Sequence, residues 1–213
     1  MLEYTDYIKI FIGLLAVLDP LAAVPIVVAL TPGIRHEELK KLVHTVIFSV
    51  FTILVVALFI GEYLLIYFGI SINSFRVSGG ILLMMMAISM LHGKISETLQ
   101  TEQEMHEGET KESIAIVPLS IPLLAGPGAI SYIILYAFRG ADIHHYLMMV
   151  LVIVLVVMIL WGVLFSVPWL SRHISRTGIN VFTRLMGLII AALAVEFIAN
   201  GLKGLFPVLA TGL

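Results

Sequence analysis

Asp19 is the only ionisable residue in the apolar run from Ile10 to Thr31, and it stands directly before a proline in DPLAAVP (19–25). A carboxylate in such a setting can pair with a substrate ammonium group or carry a proton. It can also cap a helix that restarts after Pro20, since Asp is a favoured N-cap. A second run, Ser113–Phe138, contains no Asp, Glu, Lys, Arg or His, yet PLSIPLLAGPGAI (118–130) places three prolines and two glycines in it. Each proline removes a backbone donor and leaves a carbonyl about one turn earlier without its partner. A helix restarting after such a break offers free N–H groups and the positive end of its dipole to an anion. Gly126 and Gly128, flanking Pro127, let a ligand come close to the backbone. One run thus offers a partner for a cation and the other a partner for an anion.

Further polar and small residues extend the candidate set. Glu196 lies in the last apolar run and could relay a proton or line a pathway; a hydrated place near the interface explains it equally well. Asn73 and Asn180 precede two apolar runs at matching positions, where N-capping is the simple role and contact with a substrate the functional one. Gly79 and Gly80 allow close helix approach and would leave room for a small ligand beside the backbone.

Other chemistry is poorly served. The chain has no cysteine, and its seven histidines lack the spacing of a metal-binding helix face. No nucleophile is paired with a base, and no nucleotide-binding loop occurs, so neither an enzyme nor an ATP-driven pump is expected. No cofactor is expected either. A net charge of −2 with dispersed basic residues gives no footprint for nucleic acid.

The elements that must position these residues are membrane helices. Hydrophobic residues make up 60% of the 213 and charged ones 12%, about half the ~25% of a soluble domain, and mean hydropathy is +1.09. Six runs are long enough to cross a bilayer as helix: Ile10–Thr31, Leu42–Gly61, Val77–Gly93, Ser113–Phe138, Tyr146–Ser171 and Leu185–Leu202. The expected architecture is all-α and polytopic, with the first and fourth helices broken. Lys94–Glu112, with six Glu and two Lys, reads as an exposed acidic loop between residues 1–93 and 113–213. Seven basic residues (Arg35, Lys40, Lys41, Lys94, Lys111, Arg172, Arg176) flank one face and four (Lys9, Arg76, Arg139, Lys203) the other. That asymmetry makes the first face cytoplasmic and puts both termini outside. The nine apolar residues before Asp19 fall within signal-peptide length, but a related segment recurs mid-chain, so cleavage is not expected.

That recurrence is an internal repeat. An ungapped shift of 107 residues sets SINSFRVSGGILLMMMAISM (71–90) on GINVFTRLMGLIIAALAVEF (178–197), with Ile72/Ile179, Asn73/Asn180, Phe75/Phe182, Gly80/Gly187 and Ala87/Ala194 identical. The same shift puts Pro20 on Pro127 and Ala22 on Ala129. Three spans per repeat is an odd number, so the halves must enter the membrane with opposite orientation. Paired breaks in such inverted repeats point to a binding site at the bilayer midplane.

DPLAAVP, SGGILLMMMAISML (78–91), PLSIPLLAGPGAI and LMGLIIAALAVEFIANGL (185–202) together resemble the MarC family of six-helix membrane proteins. That family includes SnatA-type transporters and is grouped with LysE-type exporters. The resemblance implies a secondary transporter of small neutral amino acids such as glycine or alanine, in the cytoplasmic membrane of a prokaryote. It would be driven by H+ or Na+ and work by alternating access around the two broken helices, with Asp19 and Glu196 as coupling residues. An exporter or channel for another small metabolite is the alternative, and assembly into a homo-oligomer is left open. Many members have Asn where this chain has Asp19, and Gly where it has Ala22 or Ala23, so the first break here carries more charge and less freedom.

Overall fold

The computed structural model describes residues 3–30, 36–92, 124–140, 142–173 and 176–209. The acidic loop and residues 113–123, with Pro118 and Pro122, lie outside them, as do Arg35, Lys94 and Lys111. Eight α-helices occur among the described residues: α1 Tyr4–Leu18, α2 Ala23–Leu30, α3 His36–Tyr67, α4 Ile72–His92, α5 Pro127–Ala137, α6 Ile143–Phe165, α7 Val167–His173 and α8 Arg176–Leu205. A 3-10 turn at Pro207–Leu209 follows. Five segments are long and apolar enough to span a bilayer, α1 and α2 counting as one, and α5 is a shorter apolar helix. The protein is an all-α, multi-pass membrane protein.

The apolar residues sort by partner rather than by hydropathy. On α6, Leu147, Leu151, Leu155 and Met158 are exposed at helical spacing, while Met149, Val152, Ile153, Val156 and Leu160 are buried. Both faces are apolar because one meets protein and the other lipid. The first span is the central one: 72% of its apolar window is buried, against 28–39% for the other four. It packs on α5, α6 and α8. A buried link fixes its N-terminal part, where Tyr7 meets His145 of α6 (2.9 Å) and His145 Nε2 meets the Tyr136 carbonyl (3.0 Å). A carbonyl only accepts, so a neutral His145 donates from Nε2 and takes the Tyr7 hydroxyl at Nδ1.

The most extensive helix contact joins α4 to α8, which run antiparallel. At Gly80 an added Cβ would stand 2.9 Å from the Ala194 carbonyl oxygen and 2.7 Å from Ile198 Cγ1. At Gly187 it would stand 3.2 Å from the Ala87 carbonyl oxygen and 3.5 Å from Leu91 Cγ. Each member of one set is the other set's residue shifted by 107. The repeat read from the sequence is therefore also a two-fold packing relation, with the small residues at its seam letting the backbones touch.

Three sequence expectations shift. The fifth apolar run does not stay one helix to Ser171, because α6 ends at Phe165 and α7 starts anew at Val167. Pro168 cannot donate to the carbonyl one turn back, and Ser166 turns the chain instead, its carbonyl accepting from Trp169 (3.0 Å) and Leu170 (2.8 Å). Asn73 is not the cap of α4: Ser71 Oγ accepts the Ser74 N–H (3.0 Å). Asn180 lies inside α8, beyond its first turn, so it caps nothing.

Candidate functional site

The first break is built around Asp19. It ends α1 in the left-handed region, φ 34° and ψ 72°, the only non-glycine residue with positive φ among those described. Asp and Asn tolerate that conformation better than other side-chain-bearing residues. The Asp19 N–H still donates to Leu15 (3.1 Å), but Pro20 has no N–H to give the Ala16 carbonyl. The turn closes as the Ala22 N–H donates to the Asp19 carbonyl (3.1 Å) and, more weakly, to Asp19 Oδ1 (3.4 Å). α2 then begins at Ala23, with Pro25 in its first turn, where a missing N–H costs nothing. One carboxylate oxygen therefore serves the backbone. The other, Oδ2, is buried with no hydrogen-bond partner, and Asp19 as a whole is only 3% exposed.

The second break uses backbone alone. Gly126 is extended (φ −68°, ψ 178°) and caps α5, with Pro127 as its first residue. The N–H groups of Gly128 and Ala129 precede the first hydrogen bond of the helix, from the Ile130 N–H to the Gly126 carbonyl (3.1 Å). α5 has eleven residues, about 16 Å at 1.5 Å each, half of a bilayer core. A helix of that length does not cross the core by itself.

The two breaks meet. A Cβ on Gly128 would lie 3.7 Å from Val17 Cγ1 in the last turn of α1, and 3.3 Å from Leu83 Cδ2 and Met86 Sδ of α4. One helical turn on, a Cβ on Gly79 of α4 would face Ser131 at 3.2 Å. Further along, Tyr132 lies over Gly13 and reaches towards the Ile10 carbonyl (3.4 Å). α1 and α5 thus run antiparallel, the carbonyl end of one beside the N–H end of the other. Helix dipoles put partial negative charge at the first and partial positive charge at the second. Tyr132, Tyr136 and Phe197 then tie α5 to α8 through rings 4.7–5.8 Å apart, and Arg139 lies over the Tyr136 ring at 4.6 Å.

Of the residues singled out from sequence, Asp19, Pro20, Gly126, Pro127, Gly128 and Gly79 gather here. Gly80 faces α8 across the seam instead. Asn73 packs against Gly201 and Gly204, ten residues before Leu83 along α4 and so roughly 15 Å away. Asn180 and Glu196 are exposed on α8. Glu196 is thirteen residues from the part of α8 that meets Asp19, about 20 Å.

That part of α8 is Thr183, which sequence reading did not select. Its hydroxyl faces the Asp19 carboxylate. It is 2% exposed, and its Oγ1, like Asp19 Oδ2, has no partner at full hydrogen-bond geometry, the contact between the two side chains being a loose one. The signal was faint: under the repeat shift Thr183 falls on Arg76, a pair with nothing in common but polarity.

A family model described as MarC family integral membrane protein matches residues 4–206. The UPF0056 membrane protein YhcE of Escherichia coli (strain K12) is 43% identical over 205 residues, covering 96% of this chain and 95% of that one. The UPF0056 membrane protein BU267 of Buchnera aphidicola subsp. Acyrthosiphon pisum is 40% identical, with the same coverage. The UPF0056 membrane protein PH0760 of the archaeon Pyrococcus horikoshii is 34% identical over 206 residues, covering 95% of this chain and 96% of its own. No solved structure matches the chain. The chain belongs to the MarC family of integral membrane proteins.

Proposed function

From a MarC-family chain whose two broken helices meet end to end, we propose a secondary transporter for small neutral amino acids of the glycine and alanine class. The observation that carries this reading is the juxtaposition of the α1 carbonyl end, bearing Asp19, with the N-terminus of α5. A zwitterion needs both at once. Its carboxylate would take the N–H groups of Gly128 and Ala129, which precede the first helical hydrogen bond of α5. Its ammonium group would face the carbonyl end of α1, where Pro20 deprives the Ala16 carbonyl of a donor. Val17, Leu83 and Met86 crowd Gly128, which favours a substrate with almost no side chain.

Unequal seating of the two half-helices supports alternating access. α5 packs along α3 and α4, whereas its counterpart α2 lies against α6 and α7 and has little contact with α8, the counterpart of α4. Inverted repeats held in unlike arrangements can exchange them, which would open the site to the other side. Coupling to H+ or Na+ would run through Asp19. The orientation that fits the basic residues puts both termini outside a prokaryotic cytoplasmic membrane.

Substitution Gly128→Leu tests the site. It should remove saturable thermal stabilisation by glycine and alanine, while the purified protein stays helical and elutes as a single species. Wild-type stabilisation in that variant would place the substrate elsewhere.

A further inference from the structure

We propose that Asp19 and Thr183 form a binding site for a small alkali cation, Na+, at the carbonyl end of α1. Two buried side chains face each other here, Asp19 from the break and Thr183 from α8, and neither Asp19 Oδ2 nor Thr183 Oγ1 has a partner at full hydrogen-bond geometry. Both residues are more than nine-tenths buried. The Thr183 hydroxyl has one proton to give the carboxylate, and both oxygens keep lone pairs that only a further donor or a cation can use.

The surroundings decide the sign of that partner. Asp19 is the C-cap of α1, whose final turn has no basic residue. A carboxylate there adds to the negative end of the dipole instead of offsetting it. The ligands available are a carboxylate and a hydroxyl, both hard oxygen donors, at the kind of half-helix end that coordinates Na+. A single carboxylate suits one positive charge. No group of three or more acidic, histidine or cysteine side chains that could hold a heavier metal occurs among the described residues.

Asp19 then has divided duties. Oδ1 holds the turn through the Ala22 N–H, and Oδ2 serves the cation. Because Thr183 belongs to the second repeat and Asp19 to the first, a bound ion would bridge the halves just before α2. A role for this ion in coupling rests on the transporter reading; the site itself rests on the geometry alone.

The test measures thermal stabilisation of purified protein by NaCl, at constant ionic strength with choline chloride and without amino acid. A ligand that binds only the folded state raises apparent stability with its concentration. Saturable stabilisation by Na+ is expected. Thr183→Val should raise the Na+ concentration needed for half the effect about tenfold. Thr183→Ser, which keeps the hydroxyl, should stay near wild type. Asp19→Asn, which keeps Oδ1 and tolerates the left-handed backbone, should fold and lose the effect. Unchanged Na+ stabilisation in Thr183→Val, or none in folded wild type, would overturn the assignment. Stabilisation by methylammonium chloride but not by NaCl would do so too, giving the oxygens to a substrate ammonium group. Amino-acid binding assayed in choline alone fails or succeeds separately, so the two readings are tested apart.

Discussion

The two helix breaks occupy equivalent positions in the two halves and are made in different ways. The first uses a side chain: Asp19 takes the left-handed conformation, accepts the Ala22 N–H and leaves a carboxyl oxygen over, and three residues pass before α2 begins. The second uses the backbone: Gly126 is extended, and α5 starts at once with Pro127. One break ends in carbonyls and a carboxylate, the other in amide protons. Two identical breaks would suit two identical ligand ends. An unlike pair suits a ligand carrying both charges.

The seam between α4 and α8 is where the halves remain alike, so damage there should be largest and similar on both sides. Gly80→Ala brings a methyl group against the Ala194 carbonyl and the Ile198 backbone nitrogen, at 2.9 and 3.1 Å. Backbone cannot step aside as a side chain can, and a loss of about 1–3 kcal/mol is expected. Gly187→Ala, with its tightest neighbours at 3.0 and 3.2 Å, should cost less but in the same direction. Apparent melting temperatures of the two variants check the order. If only one is destabilised, the seam is not symmetric in its energetics.

At the breaks the halves should diverge. Asp19→Ala and Asp19→Asn both remove the charge, but only Asn keeps an oxygen for Ala22 and tolerance of positive φ. Ala should therefore be the less stable by about 2 kcal/mol, from the lost cap and the left-handed backbone together. Equal melting temperatures would mean that the first break does not depend on its side chain. Gly128→Ala at the second break meets only the ends of Leu83 and Met86, at 3.3 Å. These can move, so its cost should stay below about 1 kcal/mol.

Much of this was legible before any coordinates. The charge-free runs mark the helices because lipid offers backbone groups no other partner, and DPLAAVP and LAGPGA mark the breaks because proline withholds a donor. The repeat shift even places Gly80 and Gly187 at one seam. What stayed hidden depends on how helices are rotated against one another. Thr183 reads as an ordinary residue until α8 turns it towards Asp19. Asn73 and Asn180 looked equivalent, yet one is wedged against Gly204 and the other is exposed. Pro168 could have marked the end of α6, but the apolar residues either side of it carry the hydropathy across.

The most direct test of the zwitterion site is thermal stabilisation of the wild-type protein by alanine, compared with ethylamine and propionate. These analogues lack the carboxylate and the ammonium group respectively. A site built from two unlike helix ends predicts saturable stabilisation by alanine that neither analogue reproduces, alone or mixed with the other at the same concentration. If one analogue stabilises as well as alanine, or alanine has no effect on folded protein, the two ends do not share a ligand.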